Sequence, residues 1–251
     1  VEDLFSEPEP KLVYTHHDRM LIGGVAPKDG PVRLETPERL RVDYLLQRRE
    51  LGIVNVGGPG AVTADGERFG LEAREALYVS RGTQEVVFES ESAADPARFY
   101  LVSALAHTEH ETRKVSEPEA EAASMGSVER SNERTLRRYI HGGGAQSCQL
   151  MMGITTLGTG SMWNTMPPHV HDRRSEVYLY FDLPEDERVL HLMGEPQETR
   201  HLLVGNEEAV ISPSWSIHSG AGTTSYSFVW AMAGENYTFE DMDPVALGEM
   251  R

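Results

Sequence analysis

The chain has 251 residues, and its 40 acidic and 23 basic side chains give a formal charge of −17, which argues against nucleic acid and anionic membranes as partners. A hydrophobic content of 39% with 8% aromatics supports a packed core and excludes wholesale disorder, while no stretch approaches the roughly 20 consecutive apolar residues of a membrane span. The opening VEDLFSEPEP has neither the basic nor the apolar region of a secretion signal, and the lone Cys148 precludes an intrachain disulfide, so a cytoplasmic location is expected.

From the N-terminus onward, short β-like runs dominate. They are LVYTH, RVDYLL, GIVNVGG, ALYVS, EVVFES and RFYLVSALA, then CQLMMGITTL, EVYLYFDL, VLHLMGE, HLLVG, AVISP and SYSFVWAM. Each is rich in Val, Leu, Ile, Tyr or Phe, and Gly, Pro, Asp and Ser lie between them. That pattern predicts an all-β fold, an antiparallel sandwich or barrel with few short helices, rather than alternating β and α units. Asp65-Gly66 predicts a tight hairpin, because both positions tolerate positive φ. The interruption comes between Ala106 and about Gly144, where the chain is charged and only weakly periodic. This predicts a β domain over 1–110, a connecting segment over 111–144 and a second β domain over 145–251. Structureless loops of that length are uncommon, so part of the connection is expected to lie on one half or reach a neighbouring chain.

The halves resemble each other. Arg48-Arg49 opens RRELGIVNV and Arg173-Arg174 opens RRSEVYLYF, an offset of 125; REALYVSRGTQE and EEAVISPSWSIH align at an offset of 133. Matching β patterns around these pairs point to a duplicated sheet domain. In that alignment Leu51 stands opposite Glu176 and Glu85 opposite His218, and no His-x-His precedes Arg48. The first copy is therefore expected to have the sheet without the chemistry.

The chemistry sits in the second copy. His169-Val170-His171 puts two imidazoles at i and i+2, the same side of a strand. Random order would give roughly 0.4 such pairs for this histidine content, so the pair alone carries little. Glu176 follows after the polar Asp172-Arg173-Arg174 stretch, which can turn the chain, and His218 ends AVISPSWSIH on a separate predicted strand. Three neutral imidazoles and one carboxylate suit Zn²⁺, Fe²⁺ or Mn²⁺ and leave room for water or substrate. Such a centre also concentrates positive charge for an anionic substrate in an acidic protein.

His-x-His-x4-Glu with a later His resembles the metal motif of the cupin superfamily. The longer strings THHDRM, RRELGIVNVGG, WNTMPPHVHDRRSEVYLYF, GEPQETRHLLV, ISPSWSIHSGAGT and FEDMD, spread from about Val13 to Met242, resemble the 5-keto-4-deoxyuronate isomerases of pectin breakdown, also called 4-deoxy-L-threo-5-hexosulose-uronate ketol-isomerases. The resemblance implies a two-barrel cupin of jelly-roll type with one zinc per chain, held by His169, His171, Glu176 and His218. It also implies a cytoplasmic homo-oligomer, a hexamer, acting on a small anionic sugar acid. Chains of that family usually begin somewhat before Val1, which points to a shortened or divergent N-terminus and leaves the four ligands untouched.

An aldose–ketose isomerisation moves a proton from C2 to C1 through an enediolate, and it needs a base and a counter-charge for the substrate carboxylate. Tyr178 shares the inward face of its strand with Tyr180 and Glu176. Glu198 is the carboxylate candidate, with His201 on the opposite face from Glu198 and Arg200. Arg173, Arg174 and Arg200 are the candidates for holding the substrate carboxylate, with Arg19 and Arg48-Arg49 as alternatives. Cys148 is expected to be a buried apolar filler. Two other functions suit the same ligands: a cupin dioxygenase using Fe²⁺, and a non-catalytic sugar-acid-binding cupin.

Overall fold

In the computed structural model, which describes residues 1–251, Asp65 and Gly66 have φ of 45° and 88° and close the tight turn expected of them. Ten strands form the N-terminal half: β1 (Lys11–Tyr14), β2 (Leu21–Val25), β3 (Val32–Arg33), β4 (Arg49–Asn55), β5 (Gly60–Ala64), β6 (Glu67–Leu71), β7 (Ala76–Val79), β8 (Val86–Ser90), β9 (Phe99–Leu105) and β10 (Arg113–Val115). They make two antiparallel sheets, ordered β1-β2-β9-β4-β7-β10 and β3-β8-β5-β6. The C-terminal half contains β11 (Glu121–Met125), β12 (Arg134–Ile140), β13 (Met151–Leu157), β14 (Trp163–Asn164), β15 (His169–Val170), β16 (Arg174–Phe181), β17 (Val189–Glu195), β18 (Glu198–Val204), β19 (Ala209–Ser212), β20 (Ile217–Gly222), β21 (Ser227–Gly234) and β22 (Asp243–Pro244). Its sheets are ordered β11-β12-β13-β21-β16-β19 and β14-β20-β17-β18, with β15 and β22 paired separately. The only helices are four short 3-10 turns, and no helix is long and apolar enough to cross a membrane.

The duplication expected from sequence is visible in the register. Leu51 on β4 pairs with Val79 and Ser103, and Glu176 on β16 pairs with Ser212 and Met232. The pairs Leu51–Val79 and Glu176–Ser212 reproduce the 125- and 133-residue offsets, and the smaller sheets repeat as β3-β8-β5-β6 and β14-β20-β17-β18.

Three cores follow from this doubling. Leu51, Ile53, Leu77, Phe88 and Phe99 fill the N-terminal barrel, and Tyr178, Tyr180, Phe228 and Trp230 fill the C-terminal one. The largest core lies between the barrels, where the outer faces of both six-stranded sheets pack together: Val54, Tyr100 and Val102 from one side, Val177, Leu179, Phe181 and Val229 from the other. A strand buried on both faces reads as a continuous apolar run. That is why GIVNVGG and EVYLYFDL lack clean alternation. Where the barrels meet, a Cβ on Gly52 would lie 2.8 Å from Met152 Sδ, so glycine permits the close approach.

Three expectations need correction. RVDYLL is not a strand: Arg41 has φ 51°, and the Asp43 N–H donates to Gln47 Oε1 at 3.1 Å, folding the run into a turn that ends in a 3-10 helix (Leu45–Gln47). Leu45 and Leu46 are buried in the N-terminal barrel core. The 111–144 segment holds much strand. Its β10 pairs with β7 of the first half, whereas β11 and β12 extend the larger sheet of the second. Charged side chains on these three strands conceal the β pattern. Cys148 is half-buried, with its Sγ 3.3 Å from the Thr108 carbonyl oxygen.

Candidate metal centre

His169, His171, Glu176 and His218 converge inside the C-terminal barrel, with one donor atom from each lying within 4.8 Å of the others. β15 aims His169 and, one residue beyond its end, His171. Glu176 comes from β16 of the larger sheet, and His218 from β20 of the facing sheet. The three Nε2 atoms stand 3.0–3.2 Å apart, and Glu176 Oε2 lies 2.9 Å from His171 Nε2 and 3.0 Å from His218 Nε2. All but the half-buried His169 are buried.

Such a set fits a cation better than mutual hydrogen bonding. His171 Nδ1 is 2.8 Å from the Asp241 carbonyl oxygen, which can only accept, so Nδ1 carries the proton and Nε2 presents its lone pair. Burial, reinforced by His218 and His171, lowers the His169 pKa to about 3 and keeps that ring neutral. Burial raises the Glu176 carboxyl, but His218 and His171 outweigh it and hold it well below the usual carboxylate range. Lone pairs and a carboxylate at these spacings match donors about 2 Å from a shared centre.

Three of the four donors, His169, His171 and Glu176, line a cavity of about 510 Å³, with His218 directly behind them. Leu136, Phe228, Trp230 and Met232 give it apolar walls; Arg134, Arg138, Tyr178 and Glu240 are its other ionisable side chains. The Tyr178 hydroxyl is 3.4 Å from Thr165 Oγ1, and burial followed by the Glu176 charge pushes its pKa well up, so it stays protonated. Arg138 is ion-paired with Glu121 and lies over the Phe239 ring at 4.9 Å. Arg134 donates to the Asn132 carbonyl oxygen at 2.8 Å but has no carboxylate within 4.0 Å. Burial lowers its pKa, an environment in which a ligand's negative charge is welcome.

Not every residue singled out in the sequence reaches this cavity. Glu198 and Arg200 bond each other at 2.6 Å on the exposed hairpin of β17 and β18, with His201 exposed on the other face. That edge strand reaches the barrel core only at its last residue, Val204, and its earlier residues stay outside. Arg173 bonds Asp241 at 2.8 Å and Asp243 at 2.6 Å, and Arg174 is fully buried with its guanidinium on the Thr238 and Asp241 carbonyl oxygens. Both arginines pin the segment after β21 against the histidines instead of lining the cavity. Sequence reasoning missed Arg134, Arg138 and Glu240. The i, i+2, i+4 series Arg134, Leu136, Arg138 was the available signal, once RTLRRYI is read as a strand.

Comparison with known proteins gives the same picture. A protein from Halalkalibacterium halodurans named 4-deoxy-L-threo-5-hexosulose-uronate ketol-isomerase is 55% identical over 251 residues, covering 100% of this chain and 91% of its own length. One of the same name from Bacillus pumilus is 57% identical over the same spans. Among solved structures, an IolB-like protein from Salmonella typhimurium LT2 superposes with a TM-score of 0.75 at 18% identity, covering 90% of this chain and 87% of its own. Oxalate decarboxylase from Bacillus subtilis, at 11% identity and a TM-score of 0.62 over 94% of this chain and 78% of its own, shares the double-barrel cupin fold. The KduI/IolB family model matches residues 3–246, and the chain belongs to that family.

Proposed function

We propose that this chain is a ketol-isomerase that interconverts 5-dehydro-4-deoxy-D-glucuronate and 3-deoxy-D-glycero-2,5-hexodiulosonate. The carrying observation is the four-donor cluster, three of whose members line a cavity whose wall holds an arginine with no acidic partner. Relatives at 50–57% identity over the full chain carry the name of this activity.

His169, His171, Glu176 and His218 would hold a divalent cation, which we take to be one zinc per chain. A bound cation would polarise neighbouring carbonyl and hydroxyl oxygens of the substrate and so acidify the C2–H bond without any redox change. The remaining roles fall to the chain's own side chains. Arg134 offers its planar fork to the substrate carboxylate. Tyr178, held protonated, donates a hydrogen bond to the oxygen that gains charge as the enediolate forms. Apart from Glu176, Glu240 is the only carboxylate lining the cavity. It accepts the C2 proton and returns it to C1. Phe228, Trp230 and Met232 keep bulk water from the carbon acid. Arg173 and Arg174 act on the segment that carries Asp241, and Glu198 and Arg200 have no role in the proton transfer. The same proposal takes the chain as a cytoplasmic homohexamer serving pectin breakdown, on the strength of the family resemblance.

The test is to follow the aldehyde proton of the unsaturated-uronate breakdown product by NMR, with and without chelator. Turnover that disappears with chelator, and in His171→Ala, is expected. Undiminished isomerisation by a metal-free variant, or oxygen uptake in its place, would overturn the proposal.

A further inference from the structure

A second cavity, of about 370 Å³, opens on the N-terminal half, and Tyr14, His16, Arg19, Arg39, Arg48 and Arg49 line it. None of these four arginines has a carboxylate within 4.0 Å, whereas ten of the other sixteen in the chain are ion-paired. In a protein of charge −17 that is a local reversal of sign. Three of the four are also held in place. Arg49 is 5% exposed and donates to the Arg19 carbonyl oxygen at 2.7 Å. Its guanidinium and that of Arg39 lie 5.8 and 5.7 Å from the centre of the Tyr14 ring. Arg19 Nη1 lies 3.0 Å from His16 Nδ1.

The duplication sharpens the contrast. Arg49 pairs with Leu105 where, in the second barrel, Arg174 pairs with Gly234. Arg48 and Arg49 therefore occupy the positions of Arg173 and Arg174. In the second barrel those positions are neutralised by Asp241 and Asp243 and by backbone carbonyls of the segment after β21. No such acidic strap reaches Arg48 and Arg49. A buried cation without counter-charge is costly, and several converging on one concavity repel one another.

We propose that this concavity is an anion-binding site, separate from the metal cavity, for an oxyanion on a sugar-sized molecule. A carboxylate or phosphate would take the paired donors of the arginine forks in place of the missing aspartates. The volume suits a small metabolite. Nothing in this assignment depends on the isomerase activity.

Isothermal titration at physiological ionic strength, with inorganic phosphate and separately with glucuronate, tests it. Saturable binding of at least one probe is expected for the wild-type protein and equally for His171→Ala, and the tighter probe identifies the oxyanion. The double variant Arg39→Ala/Arg48→Ala should bind at least about tenfold more weakly, with an unchanged melting temperature in probe-free buffer. Should that pair fail to fold, Arg48→Gln alone takes its place, with a smaller loss expected. Equal affinity in variant and wild type, or no saturable binding of either probe, would overturn the proposal. So would a variant that binds normally but dissociates in sedimentation velocity, since the arginines would then serve a contact between copies.

Discussion

Glu50 Oε1 accepts the backbone N–H of Leu150 at 2.8 Å, joining positions 100 residues apart. The same carboxylate accepts the Gln149 N–H at 3.0 Å, the Cys148 N–H at 2.7 Å and the Tyr78 hydroxyl at 3.0 Å. Glu50 is fully buried on β4, and the three amides lead directly into β13, so one side chain fastens the second barrel to the first. In Glu50→Gln an amide N–H replaces one acceptor and faces backbone donors. We expect a stability loss of about 2–4 kcal/mol, read from urea unfolding, with cation binding by the folded fraction unchanged. An unaltered unfolding midpoint would contradict this role.

Much of the fold and of the His–Glu cluster is legible in the sequence because both rest on short periods. His169 and His171 share a face by strand geometry, and the 125- and 133-residue offsets set Glu176 and His218 against Leu51 and Glu85 before any coordinates exist. Arginine destinations are not legible in this way. The acids that claim Arg173 lie 68 and 70 residues downstream, and only the folded path of the segment after β21 brings them close. Arg134 was hidden for another reason: β12, although paired with β11 on one side and β13 on the other, carries Arg134 and Arg138 on one face and Arg137 on the other, so in sequence it looks like a charged linker. Glu198 misled because alternation fixes which residues share a face, while only the hairpin's position decides whether either face meets the barrel.

The Asp241 side chain accepts from Arg173 Nε at 2.8 and 3.0 Å while its backbone carbonyl oxygen receives His171 Nδ1–H. Hydrogen bonds from Arg173 and then Asn236 lower its pKa to about 2, so the clamp is charged at any working pH. Asp241→Ala should loosen the carbonyl that orients His171 and weaken cation affinity about 10–100-fold, measured by competition with a chromogenic chelator. The far-ultraviolet circular dichroism should be unchanged. Wild-type affinity would show that His171 needs no such support.

Arg134 and Arg200 give opposite forecasts. A charge-assisted pair with the substrate carboxylate is worth about 1.5–3 kcal/mol, so Arg134→Ala should raise KM about 10–100-fold with a smaller change in kcat. Glu198→Ala and Arg200→Ala remove only an exposed ion pair and should leave both constants near wild type. Steady-state kinetics on the uronate decide. Arg200→Ala raising KM as much as Arg134→Ala would move the carboxylate site to the hairpin.

His191 sets an acid limit on stability. It is completely buried, Nδ1 lies 2.7 Å from the Tyr180 hydroxyl and Nε2 has no partner. Burial, aided by His218, lowers its pKa to about 3 from the ordinary 6.5. Between those values the unfolded chain binds a proton that the folded chain refuses. The stability His191 confers is therefore fully present above pH 6.5 and is lost as pH falls toward 3, with a slope of at most about 1.4 kcal/mol per pH unit. His191→Gln keeps a polar neutral group and removes the titration. Urea midpoints taken from pH 7 to pH 4 on chelator-treated protein should fall less steeply for the variant than for wild type. Two parallel curves would mean that His191 takes up its proton without opposing the fold.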